Sequence, residues 1–243
     1  MTPRLGNLMA LALLPFFEYF RGTPHQAAAV KELEDALPQE LLAEDAAWFE
    51  AWKASGIAQK AVVPYVHQLD FDYKGHRRCL DASAAMLAIM YNRVPNADAY
   101  SEVRKRFGDT TDVLAQVRTL KELGLHAEFR NDADEALVEA EIASGRPVLA
   151  GWLHKGNMLR GEPPMCDSQS CGHWSVLVGF ESAGSNGQSA FVLHDPMGAP
   201  DLERGGHPNR YGGKNVRVPR STFNQRWMVE GPGSGWVILV DDE

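Results

Sequence analysis

Apolar positions in the first part of the chain recur at mixed three- and four-residue spacings, at Leu33, Leu37, Leu41, Leu42, Trp48, Phe49 and Trp52, with acidic residues between them. That is the period of helices burying one face. Breaks at Gly22-Thr23-Pro24 and Leu37-Pro38-Gln39 divide the stretch from about Leu5 to Ala54 into three short helices,. Ser55-Gly56 closes the stretch, so residues 1–58 read as a helical extension ahead of a main domain over 59–243. Ala61 to Val66 is a short strand-like entry to that domain.

The pattern then turns helical again. Leu80 to Tyr91 is a strongly helical apolar run, and Asn96 to Phe107 and Thr111 to Leu123 predict two further helices, the second closed by Gly124,. Leu125 to Arg130 reads as a strand, and Asp132 to Ala143 as a helix with Asp132 or Asp134 at its N-cap and Gly145 just past its end,. From Pro147 onward the pattern is β, with strands at Pro147–His154, Trp174–Phe180, Ala190–His194 and Gly235–Val240,. Gly184-Ser185-Asn186-Gly187 signals a hairpin. Gly205 to Gly213, rich in Gly, His, Pro and Asn, reads as an exposed loop,. Helices first and an antiparallel sheet second indicate an α+β domain.

Composition narrows the class. The chain has 243 residues, 44% hydrophobic, 9% aromatic and 23% charged, the profile of an ordinary globular protein. A net charge of -8, from 24 basic and 32 acidic residues, argues against binding to a nucleic-acid backbone, which needs cationic contacts. The dense basic cluster His76-Arg77-Arg78 reads as a solvated loop,. Leu8 to Phe17 is too short for the roughly 20 residues of a membrane span. With one charge before it, a proline within it and no small-residue cleavage site after it, it reads as a buried helix and not a signal peptide, which favours a cytoplasmic or phage-associated protein,. Trp152, Trp174 and Trp236 read as core residues of the sheet,.

The chemistry centres on Cys79, at the start of a helix. Unpaired N–H groups and the positive end of the helix dipole favour a thiolate there, although a free cysteine is more commonly a small buried hydrophobe. His173, at the head of an apolar strand, is the candidate base, and Asp195, closing the next strand, the candidate partner that orients it,. Antiparallel pairing of the two strands brings both to one edge of the sheet. Taken singly, each has a plain structural reading, as a satisfied strand-end histidine and an Asp-Pro turn. Strand alternation turns His194 to the opposite face. Gln68 would offer an amide to an oxyanion beside the Cys79 N–H.

Of the three cysteines, Cys166 and Cys171 lie in the loop before His173, either as a small-loop disulfide or as two thiols,. His154, Cys166, Cys171 and His173 have the composition of a zinc site, but not a recognised ligand spacing, and a zinc there would take His173 away from base catalysis. No metal or cofactor is expected.

Val63-Pro64-Tyr65-Val66-His67-Gln68-Leu69-Asp70, Cys79-Leu80-Asp81-Ala82-Ser83-Ala84-Ala85-Met86, Gly172-His173-Trp174-Ser175 and Val192-Leu193-His194-Asp195-Pro196 together resemble the papain-like family 39 cysteine peptidases, more closely the stand-alone domains common in bacteria and phages. The resemblance covers about Val62 to Val240. It implies a papain-like α+β fold, Cys79 as nucleophile, His173 as base, Asp195 as its orienting partner and Gln68 at the oxyanion hole. Leu80 departs from the smaller or polar residue usual after the cysteine. No transporter segment accompanies the motifs, so processing of double-glycine leader peptides is not implied. The implied activity is a cysteine peptidase or amidase that cleaves a peptide or cell-wall peptide amide through a thioester. A non-catalytic peptide-binding module and an acyltransferase or transglutaminase-type enzyme are the alternatives on the same scaffold.

Overall fold

A computed structural model describes residues 57–58, 62–71, 77–165, 172–182 and 188–242. The three N-terminal helices expected between Leu5 and Ala54, Cys166, Cys171 and the Gly184–Gly187 turn lie outside the described residues. The chain divides into two compact units, Met1–Ile57 and Ala58–Glu243, with a two-residue strand, β1 (Ile57–Ala58), at the division. The second unit is described below.

Three helices come first: α1 (Cys79–Met90), α2 (Ala97–Arg104) and α3 (Val113–Glu122). They are followed by β2 (His126–Ala133), α4 (Glu135–Ala143), β3 (Val148–Leu153), β4 (Gly172–Glu181), β5 (Ala190–His194), β6 (Val216–Pro219), α5 (Arg220–Trp227) and β7 (Gly235–Asp241). Polar side chains start three of these helices as their N-caps. Asn96 accepts from Ala99 N at 2.9 Å, Asp112 accepts from Leu114 N at 2.9 Å, and Asp134 accepts from Leu137 N at 2.8 Å, each satisfying an N–H that the helix itself leaves open. Among the described residues no side chain caps α1, which begins directly after Arg78.

The sheet runs β2-β7-β3-β4-β5-β6, and every pair along this path is antiparallel. β3 and β5 are buried almost throughout, as is most of β4, the pattern of strands covered on both faces. On one face Val148, Ala150, Trp152 and Leu177 form an apolar cluster with Ile142 of α4 and Phe223 of α5. α1 is tied to β4 by the hydroxyl of Ser83, which donates to the carbonyl of Trp174 at 3.1 Å.

Three expectations change. Residues 62–66 form no strand. Pro64 removes a ladder donor, and the segment is held through Val63 O, which pairs with His194 Nε2 at 3.1 Å, and through the Tyr65 hydroxyl. Trp236 is 48% exposed. It faces outward on β7, edge-on to Phe129, while Trp152 and Trp174 are buried as expected. Arg78 is not solvated. It is buried, its guanidinium 4.6 Å from the centre of the Phe71 ring and bonded to Asp81 at 3.3 Å. No helix among the described residues is long and apolar enough to cross a membrane.

Phe191 on β5 is fully buried and packs edge-on against Phe223 and Trp227 of α5. Phe191→Ala should therefore destabilise the protein by roughly 3–5 kcal/mol, read from urea unfolding followed by tryptophan fluorescence. A loss below about 1 kcal/mol would contradict this account of the core.

Candidate active site

The β4/β5 register decides where the polar groups meet. Val176 pairs with His194 and Leu177 with Leu193, so the next step along the ladder brings Ser175 opposite Asp195. Residues two apart on a strand share a face, which adds His173 to the same side. The cross-strand pair Trp152 and His173 places the indole there too, edge-on to the imidazole with ring centres 5.1 Å apart. In the result His173 Nε2 lies 2.8 Å from Asp195 Oδ1. Ser175 Oγ donates to Asp195 Oδ2 at 3.0 Å and accepts from Trp152 Nε1 at 3.0 Å. The backbone N–H of Met197 donates to Oδ1 at 2.9 Å.

Cys79 is the first residue of α1, as the sequence predicts, and it is buried. Its sulfur lies near enough to His173 to favour the charged form of the ring. A carboxylate can only accept, so His173 presents Nε2–H to Asp195 and leaves Nδ1 for the sulfur. The segment before the helix is fastened to the turn after β5. Gln68 N donates to Pro196 O at 2.8 Å, and the Tyr65 hydroxyl donates to Asp195 O at 2.9 Å. Gln68 is buried, and its Oε1 has no partner among the described residues. The fit here is close. A Cβ on Gly213 would stand 2.0 Å from Asp195 O and 2.5 Å from the Tyr65 hydroxyl, so the loop must carry a glycine at this point.

The start of α1 is aimed by a buried ionic cluster. Asp81 is fully buried. It accepts from Arg104 Nε at 3.0 Å, from Ser101 Oγ at 2.5 Å and from Arg78 at 3.3 Å. This joins the residue before Cys79 to α2.

Charge in the site follows from these contacts. Burial opposes charge on His173, which is 1% exposed, yet the Asp195 carboxylate and the Cys79 sulfur outweigh it and raise its pKa to about 10. Burial would also raise Asp195, but the His173 cation and the hydrogen bonds from His173 and His207 hold it well below the usual carboxylate range. His194 is pushed down to about 4 by burial. It packs neutral between Val63 O and Asn215 N.

Two residues of this cluster are not among the site candidates expected from the sequence. Ser175 was legible there, since strand alternation puts it on the face of His173. His207 was not. It lies in the Gly205–Gly213 stretch expected to be an exposed loop, but its side chain is 2% exposed and its Nε2 is 3.1 Å from Asp195 Oδ2. A Gly- and Pro-rich segment carries no periodicity from which a buried side chain is legible. One nitrogen each of His173 and His207 and an oxygen of Asp195 lie within 4.8 Å of one another, close enough to be considered as metal ligands. In this arrangement they are spent on hydrogen bonds to one another. Of the zinc set considered from sequence, Cys166 and Cys171 lie outside the described residues.

The sequence model described as the Peptidase_C39 like family matches residues 60–231. The chain belongs to this family. An α+β domain with a cysteine-bearing helix against an antiparallel sheet carrying histidine and aspartate is the papain-like fold expected for a C39-like peptidase. Among solved structures, the peptidase domain of Streptococcus ComA, a bi-functional ABC transporter involved in quorum sensing, is 18% identical over 74% of this chain and 98% of its own, with a TM-score of 0.46. A putative C39-like peptidase from Bacillus anthracis is 15% identical over 76% and 98%, at 0.47. A double glycine motif protease from an AMS/PCAT transporter, in complex with the leader peptide, is 18% identical over 74% and 91%, at 0.40. No curated protein matches the chain significantly.

The raised His173 pKa has a defined consequence for stability. The folded ring keeps its proton to about 10, whereas an unfolded one loses it near ~6.5. Its stabilising contribution is therefore complete below pH ~6.5 and is lost as pH rises through the folded value. Imidazole NMR should find His173 still protonated at pH 8, with Asp195→Asn lowering its midpoint. A parent midpoint near ~6.5 would refute the coupling.

Proposed function

We propose that this C39-like protein is a cysteine peptidase or amidase that cleaves the amide bond of a peptide or cell-wall peptide through a thioester on Cys79. The observation that carries the reading is the convergence of a helix-start cysteine on an imidazole whose far nitrogen is held by a buried carboxylate. A thiolate paired with an imidazolium is a nucleophile beside its own general acid.

In this reading the Cys79 thiolate attacks the carbonyl carbon, and the C=O π pair moves onto oxygen. The oxyanion is met by the Cys79 N–H and the side-chain amide of Gln68. The start of α1, where Arg78 makes no side-chain cap, supports this role, since a helix start leaves N–H groups without intrahelical partners. Collapse of the intermediate breaks the C–N bond as His173 passes its Nδ1 proton to the leaving amine. The neutral ring then takes a proton from water, hydroxide adds to the thioester, and C–S cleavage returns the thiolate and a carboxylic acid. Asp195 keeps its charge throughout, fixing the tautomer and stabilising the imidazolium in both half-reactions.

Cys79→Ala should lower hydrolysis by at least about a thousandfold across a panel of peptides and peptidoglycan fragments followed by mass spectrometry, with the fold unchanged by circular dichroism. In the parent, iodoacetamide should label Cys79 at neutral pH far faster than it does in His173→Gln. Equal labelling of Cys79 in the two would sink the assignment. Products bearing an added amine in preference to water would reassign the chain to acyl transfer.

A further inference from the structure

A carboxylate offers about four acceptor positions, and the His173 Nε2, the Met197 N–H and the Ser175 hydroxyl take three of those on Asp195. The fourth is taken by His207 Nε2 at 3.1 Å. Because the carboxylate only accepts, Nε2 of His207 carries the hydrogen, and Nδ1, the acceptor, has no partner among the described residues. The ring also stands beside that of His173, tilted 60° to it with centres 4.6 Å apart.

The loop holding His207 is fixed with unusual thoroughness for a connection. Gly206 N donates to His154 O at 2.7 Å, Asp201 N to Gly206 O at 3.0 Å, and Met158 N to Glu203 O at 2.9 Å. Gly205 sits at φ +80°, where a Cβ would stand 2.8 Å from Gly156 O. Beneath it Arg226 of α5, fully buried, donates to the carbonyls of Leu202, Leu153, Lys155 and Gly156 at 2.6, 3.0, 2.8 and 2.8 Å. One guanidinium thus clamps the end of β3 to the start of the His207 loop.

We propose that His207 is a positioning residue of the peptidase site, donating to the outer oxygen of Asp195 and roofing the carboxylate so that its inner oxygen stays on His173 and water stays out. This rests on the reading of Cys79 and His173 as the reacting pair. Water entering beside Asp195 would raise the local dielectric and weaken the carboxylate's hold on the imidazolium. The donor must also be neutral, because a second cation would repel His173. Burial and the His173 charge lower the His207 pKa against the pull of Asp195, which favours the neutral ring. The groups facing His173 are Cys79 from α1, His154 from the end of β3, Asp195 from the end of β5, and His207.

Iodoacetate, an anion drawn to the imidazolium, reports the His173 charge through the rate at which it alkylates Cys79. In the full-length parent that rate should fall on the alkaline side as His173 deprotonates. His207→Phe keeps the ring volume and removes the donor. It should shift this limb down by about one pH unit and slow alkylation at neutral pH, and His207→Gln, which restores an N–H, should recover most of both. Imidazole NMR of the parent at neutral pH should show His207 as the neutral Nε2–H tautomer, a readout that needs no variant to fold. A parent-like limb in His207→Phe, a His207→Gln variant no better than His207→Phe, or an imidazolium or Nδ1–H form of His207 would each overturn the inference. Cys79 in His173→Gln reacting as fast as in the parent would instead defeat the underlying reading, and the two failures are thereby told apart.

Discussion

The Asp195 carboxylate is the point on which this domain is organised. It is fully buried, and an ionised carboxylate out of water is costly unless charge and hydrogen bonds replace its hydration. Here the replacements come from separate parts of the chain, β4 with His173 and Ser175, the turn after β5 with Met197, and the distal loop with His207. The backbone of the same residue is engaged as well, its N–H by Gly213 O and its carbonyl by the Tyr65 hydroxyl. A fold that left any of these segments undocked would strand a charge in the interior. Stability and the geometry of the candidate site are therefore served by the same contacts.

The Cys79 side of the candidate site has its own buried carboxylate. Asp81 collects Arg78, Arg104 and Ser101 and joins the first turn of α1 to α2, while Ser83 fastens the next turn to the β4 backbone. Cys79 precedes both anchors and is fixed by them without making either contact. The two acids thus have separate roles, Asp195 orienting the imidazole and Asp81 the helix whose first residue meets it.

Much of this was legible in the sequence, for physical reasons. The buried runs Val148–Leu153 and Ala190–His194 are continuous and apolar, which forces strands covered on both sides, and Asn96, Asp112 and Asp134 mark helix starts because their side chains cap them. The meeting of His173 and Asp195 followed from antiparallel pairing. What escaped was structure written in polar residues. α5 hides Arg220 and Arg226 in the interior, where a carbonyl cage and acidic side chains from α4 satisfy them, so its sequence reads as surface. β6, four residues long, was missed with it. His207 is buried by tertiary contacts of a loop, and no local pattern encodes such contacts.

The position of β7 bears on how the chain is built. It lies between β2 and β3 and is the strand through which β2 joins the rest of the path, yet it is synthesised after the other described strands of the sheet. As the polypeptide emerges, β3 to β6 can pair in order, while β2 waits with both of its edges open until β7 slides in beside it. Such late, long-range closure makes for slow folding and leaves an interval of exposure to chaperones and aggregation.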